Sequence, residues 1–310
     1  MHNSVKLSQV VEKCDLEIVH KSRNYNQIEI KSKDVNRPGL QLTGYMEEFP
    51  YKRLQIIGKV EYTYLTSLDN RMQYERFRGI LSYKVPAIIF SYNQQLPKDI
   101  LDLADYYDKT ILRSKRPTTK LISILNQTLE LLLAESTNVH GELLDVFGTG
   151  VLIMGKSSVG KSETALDLVT RGHRLVADDV VDIIEYDGRL IGSCPENIRH
   201  YMEIRGLGII DVRRLYGIGS VKKDSYIDMV IELEKWNEDY EYDRLGLDDK
   251  FTTILGVKVP KLLVPVRAGR NIAMITEAAV MNQREKNLGH NSAVELTNRL
   301  FNQSQNNKSS

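Results

Sequence analysis

Short apolar runs alternate along this 310-residue chain with stretches in which apolar residues recur at helical spacing. The short runs predict buried strands, and the helical spacing predicts amphipathic helices that pack on those strands. The pattern therefore predicts an α/β fold. The predicted strands are 54–60, 87–90, 142–147, 151–154, 175–177 and 227–233, with further strands at Pro260 and Pro265, and the predicted helices are 69–77, 100–107, 121–133, 163–169, 275–287 and one that starts at Ser292.

The longest helical pattern, over residues 121–133, suggests how the chain is divided. A chain of this length has room for about two domains, and this helix lies between two groups of alternating elements. We expect it to pack against both domains as a connector. The predicted division is a smaller N-terminal α/β domain over residues 1–129, whose role the sequence does not indicate, and a second domain over residues 130–310.

The composition argues against two classes of partner. Lysine and arginine total 42 against 41 aspartate and glutamate, and neither half of the chain has the concentrated basic footprint of a nucleic-acid-binding protein. No apolar run approaches the ~18 residues of a membrane-spanning helix, so no membrane segment is expected. Cys14 and Cys194 are the only cysteines, which favours a cytoplasmic location, although the sequence leaves a disulfide between them open.

Residues 155–162 match the phosphate-loop pattern G-x-x-x-x-G-K-[ST] at every fixed position. A predicted strand precedes them and a predicted helix follows, which is the context that a phosphate loop requires. Glycines allow successive N–H groups to point at phosphate oxygens, Lys161 would reach the β and γ phosphates, and Ser162 would ligate Mg²⁺. The alternative is a glycine-rich turn with a solvated lysine. The predicted nucleotide-binding residues are Gly155, Lys156, Ser157, Ser158, Val159, Gly160, Lys161 and Ser162.

Two adjacent aspartates, Asp178 and Asp179, end the predicted strand after the phosphate-loop helix. Phosphate-loop enzymes hold a metal-binding acid at such a position. Because strand side chains alternate between faces, both aspartates serve one site only if the strand ends or bends there. The alternative is a solvated turn.

Other segments carry weaker signals for a site. His140 lies one strand-length before the phosphate loop, and an isolated histidine is more often a surface or core residue than a catalytic one. Residues 202–212 predict a glycine-containing loop, and residues 240–244 predict a solvated acidic loop. Arg267 and Arg270 flank a glycine and could grip an anion.

Taken together, these motifs resemble the HPr kinase/phosphorylase family. The resemblance is carried by the histidine segment 138–141, the phosphate loop, residues 175–179, residues 202–208 and residues 265–270. It implies a second domain whose core resembles that of phosphoenolpyruvate carboxykinase. It also implies a homohexamer built on that domain.

The resemblance further implies a bifunctional enzyme of carbon catabolite regulation. Members of the family phosphorylate a regulatory serine of the phosphocarrier protein HPr, with ATP or pyrophosphate as donor and Mg²⁺ as cofactor. They also remove that phosphate by transferring it to inorganic phosphate, which yields pyrophosphate.

Specific residues acquire roles from the same resemblance. The implied active-site residues are His140, Lys161, Asp179 and Arg244, with Asp179 as base in phosphorylation and acid in the reverse reaction. Ser162 and Glu203 would bind Mg²⁺, and residues 202–211 would serve both reactions. The residues implied in dephosphorylation are Pro265, Val266, Arg267, Ala268, Gly269 and Arg270.

Two functions of other classes also fit the phosphate loop. One is a small-molecule kinase or carboxykinase-like enzyme, in which a metabolite accepts the phosphoryl group. The other is a nucleotide-switched binding module without transfer chemistry. The H-R-D and D-F-G signatures of eukaryotic-type protein kinases are absent from the sequence.

Overall fold

The computed structural model describes residues 4–238 and 250–306, with side chains described as far as residue 300. The chain folds as two compact units, Met1–Ala134 and Glu135–Ser310. Both units are α/β, as the apolar pattern predicts. Cys14 and Cys194 are buried free thiols, one in each unit, so they form no disulfide. None of the described helices has the length and apolarity needed to cross a membrane.

The first unit is built on a five-stranded sheet with the order β2-β7-β6-β5-β4. Strands β4 to β7 run parallel, and β2 pairs antiparallel with β7. One apolar cluster packs α1 and α6 on one face of the sheet, and another packs α2 to α5 on the other. The elements are β1 (Val5–Lys6), α1 (Leu7–Lys13), β2 (Glu17–His20), β3 (Glu29–Ile30), β4 (Val35–Asn36), α2 (Gly39–Leu42), β5 (Leu54–Ile57), α3 (Lys59–Ser67), α4 (Asn70–Leu81), β6 (Ile88–Phe90), α5 (Lys98–Tyr106), β7 (Ile111–Arg113) and α6 (Thr118–Leu132).

The long helix α6 belongs to the first unit over its whole length. Its buried leucines, Leu121, Leu125 and Leu129, recur every four residues and pack into the cluster that contains α1. The division between the units falls at Ala134, after the end of α6, so the helix does not straddle it. The predicted strand 54–60 is also too long, because Gly58 ends β5 and serves as the N-cap of α3.

The second unit has three layers: two helices, a six-stranded sheet and a four-stranded sheet. Apolar side chains on one face of the larger sheet pack against α7 and α9, and those on the other face pack against the smaller sheet. The elements are β8 (Ser136–His140), β9 (Glu142–Val146), β10 (Thr149–Gly155), α7 (Lys161–Thr170), β11 (Arg174–Ala177), β12 (Val180–Tyr186), β13 (Arg189–Ser193), β14 (Tyr201–Ile204), β15 (Gly208–Asp211), α8 (Val212–Tyr216), β16 (Asp224–Tyr226), β17 (Met229–Lys235), β18 (Lys250–Ile254), β19 (Val257–Val266), α9 (Ile272–Asn287) and α10 (Ser292–Asn306).

The strand directions of the larger sheet gather the candidate segments at one edge. The sheet order is β11-β9-β10-β17-β19-β18, with β10, β17 and β19 parallel. Because β9 is antiparallel to both β10 and β11, those two strands also run in the same direction. The carboxyl ends of β10, β11, β17 and β19 and the first residue of β9 therefore lie at the same edge of the sheet, called the site edge below.

Two local predictions in this unit are wrong. Residues 202–212 are not a loop, because β14 and β15 form an antiparallel hairpin that turns at Gly206. The two prolines near residue 260 do not separate strands, because Pro260 and Pro265 both lie within β19. Pairing with β17 begins after Pro260, and pairing with β18 ends before Pro265. Each proline thus has a neighbouring strand on one side only, which a residue without an N–H tolerates.

Candidate active site

The phosphate-loop segment joins the end of β10 to the start of α7 at the site edge. Gly155 has a φ of +149° and Gly160 a φ of +96°, values that side chains disfavour. A Cβ atom at Gly155 would also collide with the carbonyl oxygen of Leu233 on the neighbouring strand. The predicted strand, loop and helix are all present. The glycines are needed for both the turn and the close packing of β10 against β17.

The first two residues of α7 contact an acid that the sequence analysis missed. The Ser162 hydroxyl donates to Glu142 Oε1 at 3.3 Å, and Lys161 Nζ lies 4.0 Å from the same oxygen. Glu142 is the first residue of β9 and is 1% exposed. Burial raises its pKa to about 8, although the charge of Lys161 and the Ser162 hydrogen bond oppose that shift. The detectable signal is an acid at the start of the predicted apolar strand 142–147, which directly precedes the phosphate-loop strand in the sequence.

Asp178 forms a second buried carboxyl group at this edge. Its Oδ2 accepts the backbone N–H of Glu203 at 3.0 Å. Burial raises its pKa to about 6, and the nearby charge of Asp179 adds to the shift, while the Glu203 N–H, Ser162 and Lys161 oppose it. Among the described residues, Asp178 Oδ1 and Glu142 Oε2 are both buried without a hydrogen-bond partner. Ser162 therefore donates to one of two buried carboxyl groups, and each of these groups has one oxygen without a partner.

Asp179 turns away from that buried pair and faces solvent beside His140. The strand β11 ends at Ala177, and Asp179 adopts a left-handed φ of +65° before β12 begins. Its Oδ1 lies 3.7 Å from His140 Nδ1, and the side chains of His140 and Asp179 are 84% and 75% exposed. The backbone carbonyl of Asp179 accepts the N–H of Gly141 at 3.1 Å. The predicted end of the strand is confirmed, and it separates a buried acid from an accessible one.

The hairpin formed by β14 and β15 is tied to the phosphate loop by an arginine. Arg205 Nη2 donates to Ser158 Oγ at 2.8 Å, and Ser158 itself has a left-handed φ of +67°. The Glu203 side chain on the same hairpin is exposed, and its backbone rather than its carboxylate contacts Asp178. The hairpin therefore brings a cationic side chain to the loop in which phosphates would bind.

The segment after β19 uses its two arginines differently. Arg270 closes the turn, because its backbone N–H donates to the Arg267 carbonyl at 3.1 Å and its Nη1 donates to the Pro265 carbonyl at 3.0 Å. The Arg267 guanidinium lies over the Trp236 ring, 5.6 Å from the ring centroid, at the end of β17. Arg267 is thus the better placed of the two for an anion. Arg244 lies outside the described residues.

The donor set at the buried pair fits a hard divalent cation. Within residues 4–238 and 250–300, no group of three or more His, Cys, Asp and Glu side chains is placed to hold a metal ion. A hydroxyl and two carboxylates with unused buried oxygens are nevertheless the oxygen ligands that Mg²⁺ prefers, and bound phosphates supply further oxygens in nucleotide sites. The Ser162 hydroxyl and the buried Asp178 carboxylate are therefore oxygen ligands of the kind that Mg²⁺ requires.

Two family models match the chain, one to each part. The model described as the HPr Serine kinase N terminus matches residues 5–129, and the model described as the HPr Serine kinase C-terminal domain matches residues 132–300. Together they span nearly all of the sequence.

Curated relatives match over nearly their whole length. A protein called HPr kinase/phosphorylase from Thermoanaerobacter sp. (strain X514) is 47% identical over 302 residues, which cover 97% of this chain and 99% of that relative. Another of that name from Caldanaerobacter subterraneus is 48% identical over 300 residues, covering 96% and 98%. A solved structure described as the Hpr(Ser) kinase/phosphatase from Coxiella burnetii is 39% identical, covering 48% of this chain and 97% of that chain at a TM-score of 0.45.

Proposed function

The chain belongs to the HPr kinase/phosphorylase family, and on that premise we propose that it transfers a phosphoryl group between a donor and a serine of the protein HPr. The donor is ATP or pyrophosphate. In the reverse reaction inorganic phosphate takes the group from seryl-phosphorylated HPr and leaves as pyrophosphate. The main observation that supports the proposal is that the phosphate-loop segment and the Asp178–Asp179 pair lie together at the site edge.

Donor binding follows from the first turn of α7 and the loop before it. The loop N–H groups and the positive end of α7 attract phosphate oxygens, and Lys161 supplies a full charge beside them. Arg205 is hydrogen-bonded to the loop through Ser158, so it adds a second cation next to the same phosphates. Because the phosphate loop recognises phosphates rather than a base, pyrophosphate and ATP can use the same site.

Mg²⁺ would be held by Ser162 and Asp178, with Glu203 as the further acid that the family resemblance implies. When bound, Mg²⁺ supplies positive charge that stabilises the transferring phosphoryl oxygens. The exposed Glu203 carboxylate would have to turn towards the cation, because only the Glu203 backbone contacts Asp178.

In this proposal Asp179 is the residue that accepts and returns the proton, and His140 lies next to it. A serine hydroxyl is a poor nucleophile, so a carboxylate within hydrogen-bond reach must accept its proton as the phosphoryl group arrives. In the reverse direction the same carboxyl group returns a proton to the leaving serine oxygen. The 75% exposure of the Asp179 side chain supports this role, because the acceptor serine is carried on another protein and cannot reach a buried base.

The remaining parts of the proposal concern phosphorolysis and assembly. Residues 265–270, with Arg267 available for an anion, would receive the inorganic phosphate that attacks phosphoserine. We further propose the phosphoenolpyruvate carboxykinase-like core and the homohexamer that the resemblance implies, together with a cytoplasmic role in carbon catabolite regulation.

The deciding experiment is phosphoryl transfer by the purified chain. With γ-labelled ATP, Mg²⁺ and HPr, we expect label on a single HPr serine, and we expect added phosphate to remove it as labelled pyrophosphate. Lys161→Ala should transfer at least ~100-fold more slowly, because it removes one preorganised charge from the transition state. Label on a small metabolite instead of HPr would indicate a metabolite kinase, and nucleotide binding without transfer would indicate a binding module.

A further inference from the structure

Glu142 is a buried acid at the site edge that the proposed roles leave unused. It is 1% exposed, and its two carboxylate oxygens have different surroundings. Oε1 accepts the Ser162 hydroxyl at 3.3 Å and lies 4.0 Å from Lys161 Nζ, whereas Oε2 has no hydrogen-bond partner among the described residues. Burying a carboxyl group without full hydrogen bonding costs free energy. Packing alone therefore does not explain why a buried glutamate stands at this position.

The chemistry of Ser162 explains why an acceptor is needed there. A serine hydroxyl has one proton and two acceptor lone pairs, so it ligates a cation well only when its proton points towards another acceptor. Glu142, the first residue of β9, accepts a hydrogen bond from this hydroxyl through Oε1. Asp178 does not accept this hydroxyl, since its Oδ2 accepts the Glu203 N–H and its Oδ1 has no hydrogen-bond partner among the described residues.

We infer that Glu142 is a positioning residue of the divalent-cation site: it accepts the hydrogen bond of the Ser162 hydroxyl, so that the lone pairs of that oxygen face the cation. This inference rests on the proposed function, since it assumes that the phosphate loop binds a metal–phosphate complex. Glu142 acts through Ser162 and needs no contact with the transferred group. Glu142 Oε1 also lies 4.0 Å from Lys161 Nζ.

The test measures metal affinity directly in the full chain. Mn²⁺ is titrated into protein saturated with ADP, and the free Mn²⁺ is read by electron paramagnetic resonance. Glu142→Gln keeps the size of the side chain and replaces its carboxyl group by an amide, and we expect the Mn²⁺ dissociation constant to rise about 10-fold or more, as for other groups that orient metal ligands. ADP affinity without metal should not fall.

Asp145→Asn is the matched control. Asp145 is a buried carboxylate on the same strand, three residues away, and it pairs with Lys222 instead of the phosphate loop. It should lower stability while leaving the Mn²⁺ dissociation constant within about twofold of wild type. Parallel loss of Mn²⁺ affinity in both variants would mean that any damage to β9 weakens the site, which would overturn the inference.

A double-mutant cycle separates orientation of Ser162 from a general electrostatic effect. In a Ser162→Ala background the hydroxyl is gone, so Glu142→Gln should change Mn²⁺ affinity less than twofold further. An equal loss in both backgrounds would overturn the positioning role. If Glu142→Gln does not fold, Glu142→Asp keeps the carboxyl group but withdraws it from Ser162, and it must show the same selective loss of Mn²⁺ affinity.

Failure of the inference and failure of the proposed function give different results. If wild type and Glu142→Gln bind Mn²⁺ equally well, Glu142 has no positioning role, whatever the transfer assay shows. If Glu142→Gln binds Mn²⁺ weakly and wild type binds it well without labelling HPr, the positioning role stands and the proposed transfer to HPr is wrong.

Discussion

Four titratable side chains at the site edge fall into a buried pair and an exposed pair. Glu142 and Asp178 are buried around Ser162, while Asp179 and His140 face solvent 3.7 Å apart. Backbone geometry causes the division, since the left-handed conformation of Asp179 turns the chain between two consecutive aspartates. We therefore expect substitutions of the exposed pair to affect proton transfer, and substitutions of the buried pair to affect metal binding.

Asp179→Asn should stop both directions of phosphoryl transfer. An amide neither accepts nor returns the serine proton, so forward and reverse rates should each fall at least ~100-fold. Both rates are measured on one preparation, with the phosphate concentration varied in the reverse assay.

Asp187→Asn is the control for that substitution. Asp187 is also an aspartate with a left-handed φ, +52°, and it lies just after the opposite end of β12. It should retain wild-type rates. A variant Asp179→Asn enzyme that ran either direction well would exclude Asp179 as the shared acid and base.

Arg267→Ala should impair phosphorolysis much more than kinase activity. Only the reverse reaction requires free inorganic phosphate, and Arg267 is the arginine of its segment whose guanidinium does not close the turn. We expect about a 10-fold or larger rise in the KM for phosphate, with a smaller change in the KM for ATP.

Lys258→Ala provides the comparison for Arg267. Lys258 is also a cation stacked over an aromatic ring, that of Phe251, near the start of β19. Its removal should alter neither reaction. Equal losses of both activities in Arg267→Ala would contradict a separate phosphate role.

At the scale of elements, strand β9 carries a buried acid near each end. Glu142 opens the strand at the site edge, and Asp145 lies three residues later, where Lys222, Arg174 and the N–H of Gly148 surround it. The two acids differ in their partners. Glu142 has one cation at 4.0 Å, whereas Lys222 Nζ lies 2.6 Å from Asp145. Asp145 therefore has charged and hydrogen-bond partners, whereas Glu142 keeps one buried oxygen without a partner among the described residues.

The pKa of Asp145 predicts how stability depends on pH. Burial alone would raise this pKa, but the hydrogen bond and charge of Lys222, the Gly148 N–H and Arg174 together lower it below its usual range. The ionised carboxylate therefore stabilises the fold at pH values above ~4, the ordinary pKa of an unfolded aspartate. That contribution is lost as the pH falls through the lower pKa of the folded state.

Asp145→Asn should consequently lower the free energy of unfolding at pH 7 by ~1–3 kcal/mol, because it leaves Lys222 without its charged partner. Urea titrations at pH 7, 5 and 3.5 should show the difference from wild type shrinking in the most acidic sample. A difference that stayed constant over this range would indicate a packing effect instead of the ion pair.

At the scale of the whole molecule, every described candidate for the site lies in the second unit. That unit has its own apolar clusters on both faces of the six-stranded sheet, and the long helix α6 belongs to the first unit. The two family models divide the chain at nearly the same place, since one ends at residue 129 and the other begins at residue 132. We therefore expect the second unit to fold by itself and to bind phosphates.

A fragment of residues 135–310 should fold, assemble and transfer phosphoryl groups. It retains the carbonyl of Glu135, which pairs with the N–H of Glu185, and removes α6. We expect cooperative thermal unfolding, activity within about 10-fold of the full chain, and the mass of an oligomer by light scattering. An inert monomer would assign the first unit a direct part in catalysis or assembly.

Features that depend on neighbours in the chain were predictable from the sequence. The phosphate-loop segment needs only its glycines, the preceding strand and the following helix, so its pattern identifies it within a few residues. The end of β11 just before Asp178 is likewise local. The α/β class and the family follow from the apolar pattern and the motifs.

Only the tertiary structure decided which distant residues meet at the site edge. Glu142 reaches Ser162 because β9 pairs antiparallel with β10, and Arg205 reaches Ser158 because residues 202–212 form a hairpin. From the sequence, Arg267 and Arg270 are equally good candidates to bind an anion. In the structure, the guanidinium of Arg270 hydrogen-bonds within the turn and that of Arg267 does not. Strand register and side-chain burial set these contacts. Both depend on pairings between segments far apart in the chain, which local apolar spacing does not encode.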